Sequence, residues 1–242
     1  MTGHDLLKGK TVLVTAAAGT GIGFATAQRC IEEGASVVIS DIHERRLQES
    51  AEELGARGVL ANVTSEADVQ RLIDEVGDLD VLVNNAGLGG TALLTEMTDD
   101  QWFSVLDVTL NGTMRMTRAA LRVMYQRNQG VIVNNASVLG WRAQEGQAHY
   151  AAAKAGVMAL TRCAAVEAAP HNVRVNAVAP SLAMHPHLSK VMDDGVLADL
   201  VTKEAFGRAA EPWEVANVIV FLASDLSGYM TGEVVSVSSQ HP

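Results

Sequence analysis

The sequence predicts an α/β protein: a doubly wound parallel sheet of about seven strands with helices on both faces. Three observations carry this. Seven short β-branched runs punctuate the chain, and helix-like stretches separate them. The runs are almost continuously apolar, which marks strands buried on both faces. Alanine and glycine are abundant while aromatics make up only 4%, a composition suited to close helix–sheet packing.

The strands are expected at 11–16, 36–41, 58–63, 80–87, 130–137, 173–180 and 232–239. Helices are expected at 22–34, 43–55, 65–77, 99–127, 147–169 and 211–224. Their alternation implies right-handed βαβ units. The segment 181–210 breaks the alternation. It is a long polar and helical insert, read as a substrate lid. No linker, repeat or low-complexity stretch divides the 242 residues, so 1–242 is expected to be one domain.

Composition excludes several function classes. The formal net charge is −10, which opposes a nucleic-acid surface. No apolar run approaches the ~18 residues of a membrane span, and "MTGHDLLKGK" lacks the apolar core of a signal peptide. The expectation is a cytoplasmic protein with a small-molecule partner, no membrane and no nucleic acid. Cys30 and Cys163 are read as reduced core thiols.

The first strand runs into "TAAAGTGIG" (15–23). A glycine-rich turn feeding a helix leaves backbone N–H groups free for a pyrophosphate, and Gly19, Thr20, Gly21 and Ile22 are the candidates. A plain strand-to-helix turn is the bland alternative. The second strand ends in Asp41, where a carboxylate accepts from both ribose hydroxyls of adenosine and repels a 2′-phosphate. That favours NAD. The same Asp41 also suits a helix N-cap. Arg45 and Arg46 keep NADP open, though a solvated helix face accounts for both. "HYAAAK" (149–154) sets Tyr150 and Lys154 one helical turn apart, with alanines between.

With these motifs, "NNAG" (84–87), Ser137, "NAVAP" (176–180) and the tail 207–237, the chain resembles the short-chain dehydrogenase/reductase family. It is most similar to the 3-oxoacyl reductase-like branch and to actinobacterial members carrying "AAAGTGIG". The resemblance implies a Rossmann-type fold, with Ser137, Tyr150 and Lys154 as catalytic residues. It also implies cofactor contacts at Asn62 and Val63 (adenine edge), at Asn85, Ala86 and Gly87 (adenosine ribose), and at Pro180. Tyr150 and Lys154 would touch the nicotinamide end. A homotetramer or homodimer, built on the helices at 99–127 and 147–169, is implied too.

Three departures stand out. The turn is one residue longer than in relatives, with alanine where the first glycine is usual. Ala16 and Ala17 must avoid positive φ or tolerate it at a cost. The family's fourth catalytic residue, an Asn, is here Thr109, and Asn111 would point about 200° away on a regular helix. Pro180 is followed by Ser181, and His185 stands where a threonine often meets the carboxamide. His185 and His187 lack acidic or cysteine partners for a metal and read as lid or substrate contacts. His149 is read as structural, and Met114, Met116 and Met124 as packing.

A tyrosine with an ordinary pKa near ~10 is a poor base at neutral pH. An ammonium ~4 Å away at an effective dielectric of ~20 is worth about 4 kcal/mol, which would bring Tyr150 near ~7. Lys154 would also hold the nicotinamide ribose, and Ser137 the substrate oxygen. The expected activity is NAD-dependent hydride transfer between nicotinamide and a secondary alcohol or ketone, running as alcohol oxidation. The substrate is read as a 3-hydroxyacyl thioester, or as a bulky alicyclic hydroxy acid, steroid-derived, or its CoA ester. Arg142 is the one candidate for a CoA phosphate. Two alternatives stay open: an NADPH-dependent 3-oxoacyl reductase, and a non-catalytic cofactor-binding scaffold or sensor.

Overall fold

A computed structural model of the chain describes residues 3–184 and 194–239. The strands are β1 (Thr11–Thr15), β2 (Ser36–Asp41), β3 (Arg57–Leu60), β4 (Val81–Asn84), β5 (Gly130–Asn135), β6 (Val173–Pro180) and β7 (Val234–Val237). The helices are α1 (Ile22–Glu32), α2 (Glu44–Leu54), α3 (Glu66–Val76), α4 (Asp99–Leu106), α5 (Gly112–Arg127), α6 (Ala148–Ala168), α7 (Asp194–Thr202) and α8 (Pro212–Ala223). The sheet order is β3-β2-β1-β4-β5-β6-β7. Every pairing is parallel.

Period-two geometry sends alternate side chains to opposite faces. Val12 and Val14 pack with Ala27 of α1, Leu47 of α2 and Ile219 of α8. Leu13, between them, packs on the other face with Leu72 of α3, Met116 and Met124 of α5 and Ala165 of α6. The two methionines are therefore core filler, as read from the sequence. The strand order reverses between β1 and β4, which opens a crevice at the carboxyl edge of the sheet.

The strands are shorter than the apolar runs. β4 stops at Asn84, because the Asn85 N–H turns to Thr15 Oγ1, whereas β5 keeps Asn135 in register with Val178 and ends there. The run 99–127 is not one helix. A π-helical turn, Asp107–Asn111, separates α4 from α5. Such turns recur at functional sites. Gly112 follows it because a Cβ there would lie 2.7 Å from Val63 Cγ2.

Within the insert 181–210, residues 185–193, including His185 and His187, lie outside the described residues. Its two ends meet: Met184 N donates to Ala210 O (2.8 Å) and Ala210 N to Leu182 O (2.8 Å). Buried Glu204 ties this base to the C-terminal segment by accepting from Ser239 Oγ at 2.8 Å.

The cysteine expectation needs correction. Cys30 is buried, and its thiol is pushed up to about 12 by desolvation. Cys163 is exposed on α6 rather than in the core, because it falls on the outer face of that helix. No helix among the described residues is long and apolar enough to cross a membrane.

Candidate active site

Tyr150 lies in the first turn of α6, and Lys154 one turn further on. Ser137 leaves the end of β5 and caps the short 3-10 turn Val138–Gly140, accepting from Leu139 N at 3.2 Å. It also hydrogen-bonds the Tyr150 side chain. The Lys154 Nζ lies 5.5 Å from the Tyr150 ring centroid. It donates to Asn135 O at 2.5 Å. The three side chains picked from the sequence thus converge at the carboxyl edge of β5. Gly156 lets α6 approach the π turn, since a Cβ there would meet Leu110 at 2.8 Å.

The electrostatics differ from expectation. Burial pushes the Tyr150 phenol above its ordinary value, and the Ser137 hydrogen bond offsets this only in part. Burial also pulls Lys154 down to about 8. A Tyr150 value near ~7 is therefore not what this structure holds. The ammonium spends its hydrogen bond on a backbone carbonyl, and desolvation opposes both charged forms.

The glycine-rich turn answers the question raised by its alanines. Ala16 adopts φ +50. For alanine that conformation costs about 1–2 kcal/mol. Gly19 sits at φ +108, and its N–H donates to Ser50 Oγ of α2 at 3.0 Å. Gly21 caps α1 without any side-chain bond, and Ile22 opens the helix. Around Gly19 and Gly21 a Cβ would meet nothing within 4 Å, whereas at Gly23 it would lie 2.5 Å from Ala16 O. Open space thus faces the helix N-terminus while the turn packs tightly behind it. This cradle fits a pyrophosphate, with Thr20 exposed at its rim.

Asp41 ends β2 and is nearly buried. Its Oδ1 accepts from His43 N at 3.0 Å and its Oδ2 from Ala18 N at 3.3 Å. Desolvation raises its pKa, against these bonds and the nearby Arg46. The helix cap of α2 is His43 itself. Asn62 is exposed, and its Oδ1 accepts from Thr64 N at 3.0 Å. Val63 is buried against Gly112. Pro180 ends β6, buried beside β7.

Asn85, Ala86 and Gly87 leave β4 over the crevice. The Asn85 and Ala86 N–H groups donate to Thr15 Oγ1 at 3.0 and 3.1 Å. The Asn85 side chain is spent on other strand ends rather than pointing free into the crevice. Thr109, in the π turn, is fully buried. Its Oγ1 accepts from Leu88 N (3.0 Å) and donates to Leu88 O (3.2 Å). A Cβ on Gly87 would lie 3.5 Å from Lys154 Nζ and 3.8 Å from Thr109 Oγ1. Thr109 therefore anchors the loop beside the lysine. Asn111 points away, exposed and bonded to Asp107. His149 is buried behind Tyr150, its Nδ1 without a partner among the described residues.

Sequence reasoning missed Thr15, Ser50 and Asn135. A signal for the last was present: Val-Asn-Asn stands at the carboxyl end of both β4 and β5 (83–85 and 133–135), and the register pairs Asn84 with Asn134.

Comparison with known proteins gives the family. A family model described as enoyl-(acyl carrier protein) reductase, of the short-chain dehydrogenase type, matches residues 16–239. The chain belongs to the short-chain dehydrogenase/reductase family. Within it, the chain is 62% identical to the (5R,7aS)-5-hydroxy-7a-methyl-1-oxo-2,3,5,6,7,7a-hexahydro-1H-indene-carboxyl-CoA reductase of Mycobacterium tuberculosis, covering 100% of this chain and 97% of that one. It is 39% identical to a 3-oxoacyl-[acyl-carrier-protein] reductase of Thermotoga maritima, covering 96% and 97%. A crystal structure of a family member from Mycobacterium smegmatis superposes with TM-score 0.88 at 58% identity, covering 100% and 97%. The chain thus shares the family's oxidoreductase fold, and its actinobacterial resemblance holds.

Proposed function

We propose that this chain interconverts a secondary alcohol and a ketone on a bulky alicyclic CoA ester, using NAD(H). The observation that carries the reading is the meeting of Ser137, Tyr150 and Lys154 beside the open cradle of Gly19 and Gly21. The high identity to the mycobacterial indene-carboxyl-CoA reductase supports the substrate class. Asp41 supports NAD: a carboxylate whose burial is only partly offset by two backbone N–H groups gains from ribose hydroxyls and opposes a 2′-phosphate.

A bound nicotinamide supplies or accepts the hydride. Gly19, Thr20, Gly21 and Ile22 would hold its pyrophosphate, Asp41 its adenosine ribose, and Asn62 and Val63 its adenine edge. Ala86, Gly87, Lys154 and Pro180 would line the rest. Ser137 Oγ orients the substrate oxygen. Tyr150 gives its proton to that oxygen as the carbonyl carbon gains hydride. The Lys154 ammonium would stabilise the phenolate until a proton from solvent restores the phenol. A phenol kept protonated by burial suits this reductive direction. In the oxidative direction Tyr150 must first lose its proton, which a bound oxidised nicotinamide, being positive, would favour.

Exposed Phe103 of α4 and Val166 of α6 support a homo-oligomer through those helices. The function is tested by following nicotinamide absorbance with alicyclic keto and hydroxy CoA esters, simple 3-oxoacyl-CoAs, and both cofactors. The expected result is turnover of the alicyclic esters with NADH preferred. Tight NADPH binding with 3-oxoacyl turnover would favour the acyl-reductase alternative. Cofactor binding with no hydride transfer to any substrate would leave a scaffold.

A further inference from the structure

Asn135, at the end of β5, bonds in two directions. Its backbone carbonyl accepts from Lys154 Nζ at 2.5 Å. Its Nδ2 donates to Asn85 Oδ1 at 2.9 Å. Asn85 in turn donates through Nδ2 to Thr15 O at 3.2 Å and to Ala16 O at 3.0 Å. Two carbonyls facing one amide fix its orientation: the Asn85 nitrogen must face them, so its oxygen faces Asn135. Asn135 must then present its own nitrogen. Its Oδ1 is left buried with no partner among the described residues. An apolar side chain of similar size would avoid that cost, so the amide is retained for its donor end.

What the donor end reaches is the strained point of the turn. Ala16 holds φ +50 without the freedom of glycine. Its carbonyl, the one capped by Asn85, lies where a Cβ on Gly23 would come within 2.5 Å. Any relaxation of Ala16 therefore shifts the start of α1, whose unpaired N–H groups face the open cradle. We infer that Asn135 is a positioning residue: through Asn85 it holds the alanine turn in its left-handed conformation, and through its own carbonyl it sets Lys154, so that the phosphate end and the proton end of the crevice share one brace. The inference rests on the nicotinamide-binding reading above.

The test is a double-variant cycle with Asn135→Leu and Ala16→Gly, read in the intact protein by NADH titration calorimetry and by cofactor-free thermal unfolding. Asn135→Leu alone should weaken NADH binding by about tenfold. Ala16→Gly alone should change it by less than about twofold, and the double variant should recover most of the lost affinity, because glycine adopts positive φ unaided. Likewise, Asn135→Leu should lower Tm less in the Ala16→Gly background than in the wild type. A steady-state split should accompany this, with KM for NADH raised more than kcat is lowered. Equal losses in both backgrounds, or a lowered Tm with unchanged NADH affinity, would overturn the brace. Should the wild type bind neither NADH nor NADPH, the functional reading fails on its own. The Tm cycle then decides the brace: coupling between the two substitutions sustains it, and strict additivity removes it.

Discussion

The two ends of the crevice sit on one sheet edge yet are built in opposite ways. Over β1, β2 and β4 the walls are backbone, glycine and short polar side chains knit together: Ser50 to Gly19, Thr15 to Asn85 and Ala86, Asn135 to Asn85. The loops that follow β4, β5 and β6 instead carry exposed apolar side chains. Leu94 is 70% exposed, Trp141 52% and Phe206 78%. On the proposed reading the first end takes the nicotinamide cofactor, on donors that are preset. The second offers apolar area and few fixed polar groups, which suits a bulky hydrocarbon ring. On that reading cofactor binding and substrate selectivity are separable, and substitutions at one end should leave the other intact.

The largest effect is expected at the junction. Lys154→Met should lower kcat by about a hundredfold or more, the usual worth of a positioned acid/base system. It should also remove a pH dependence of stability. The folded value of about 8 lies below the ordinary 10.5, so between them the unfolded chain holds the extra proton. Wild-type stability should then rise with pH across that window, by about 3 kcal/mol at most, and the variant should lack the rise. Thermal unfolding of both proteins from neutral to alkaline pH checks this.

The sequence was most informative where geometry allows few solutions. A parallel sheet buried on both faces forces continuous apolar runs, so all seven strands were visible in outline. Tyr150 and Lys154 were legible because one turn of helix fixes their separation. The strand ends were not, because the Asn85 N–H turns to Thr15 and the Asn135 side chain crosses to Asn85, tertiary bonds that no local pattern encodes. The π turn at Asp107–Asn111 was hidden too. The protonation state of Tyr150 went astray because distance along a helix predicts attraction but not burial. Here desolvation raises the pKa of the buried phenol, and the Ser137 hydrogen bond offsets this only in part.

A smaller change should follow at the preset end. Asp41→Ala should weaken NADH binding by about tenfold, roughly the loss of one charge-assisted hydrogen bond, and narrow the gap to NADPH. Titration with both cofactors measures it, and kcat at saturating NADH should hardly move. The smallest effect belongs to the apolar end. Trp141→Ala should raise KM for an alicyclic CoA ester by about threefold, the loss of part of one apolar contact, with NADH affinity unchanged. If Trp141→Ala instead altered NADH binding, the separation of the two ends would not hold.

The most direct measurement is the titration of one phenol. Phenolate absorbance of the wild type minus that of Tyr150→Phe, followed against pH with and without NAD, isolates Tyr150. The account predicts deprotonation above the ordinary tyrosine range in the free protein and a clear downward shift once NAD is bound. A Tyr150 already ionised near neutrality in the free protein, or one indifferent to NAD, would contradict it.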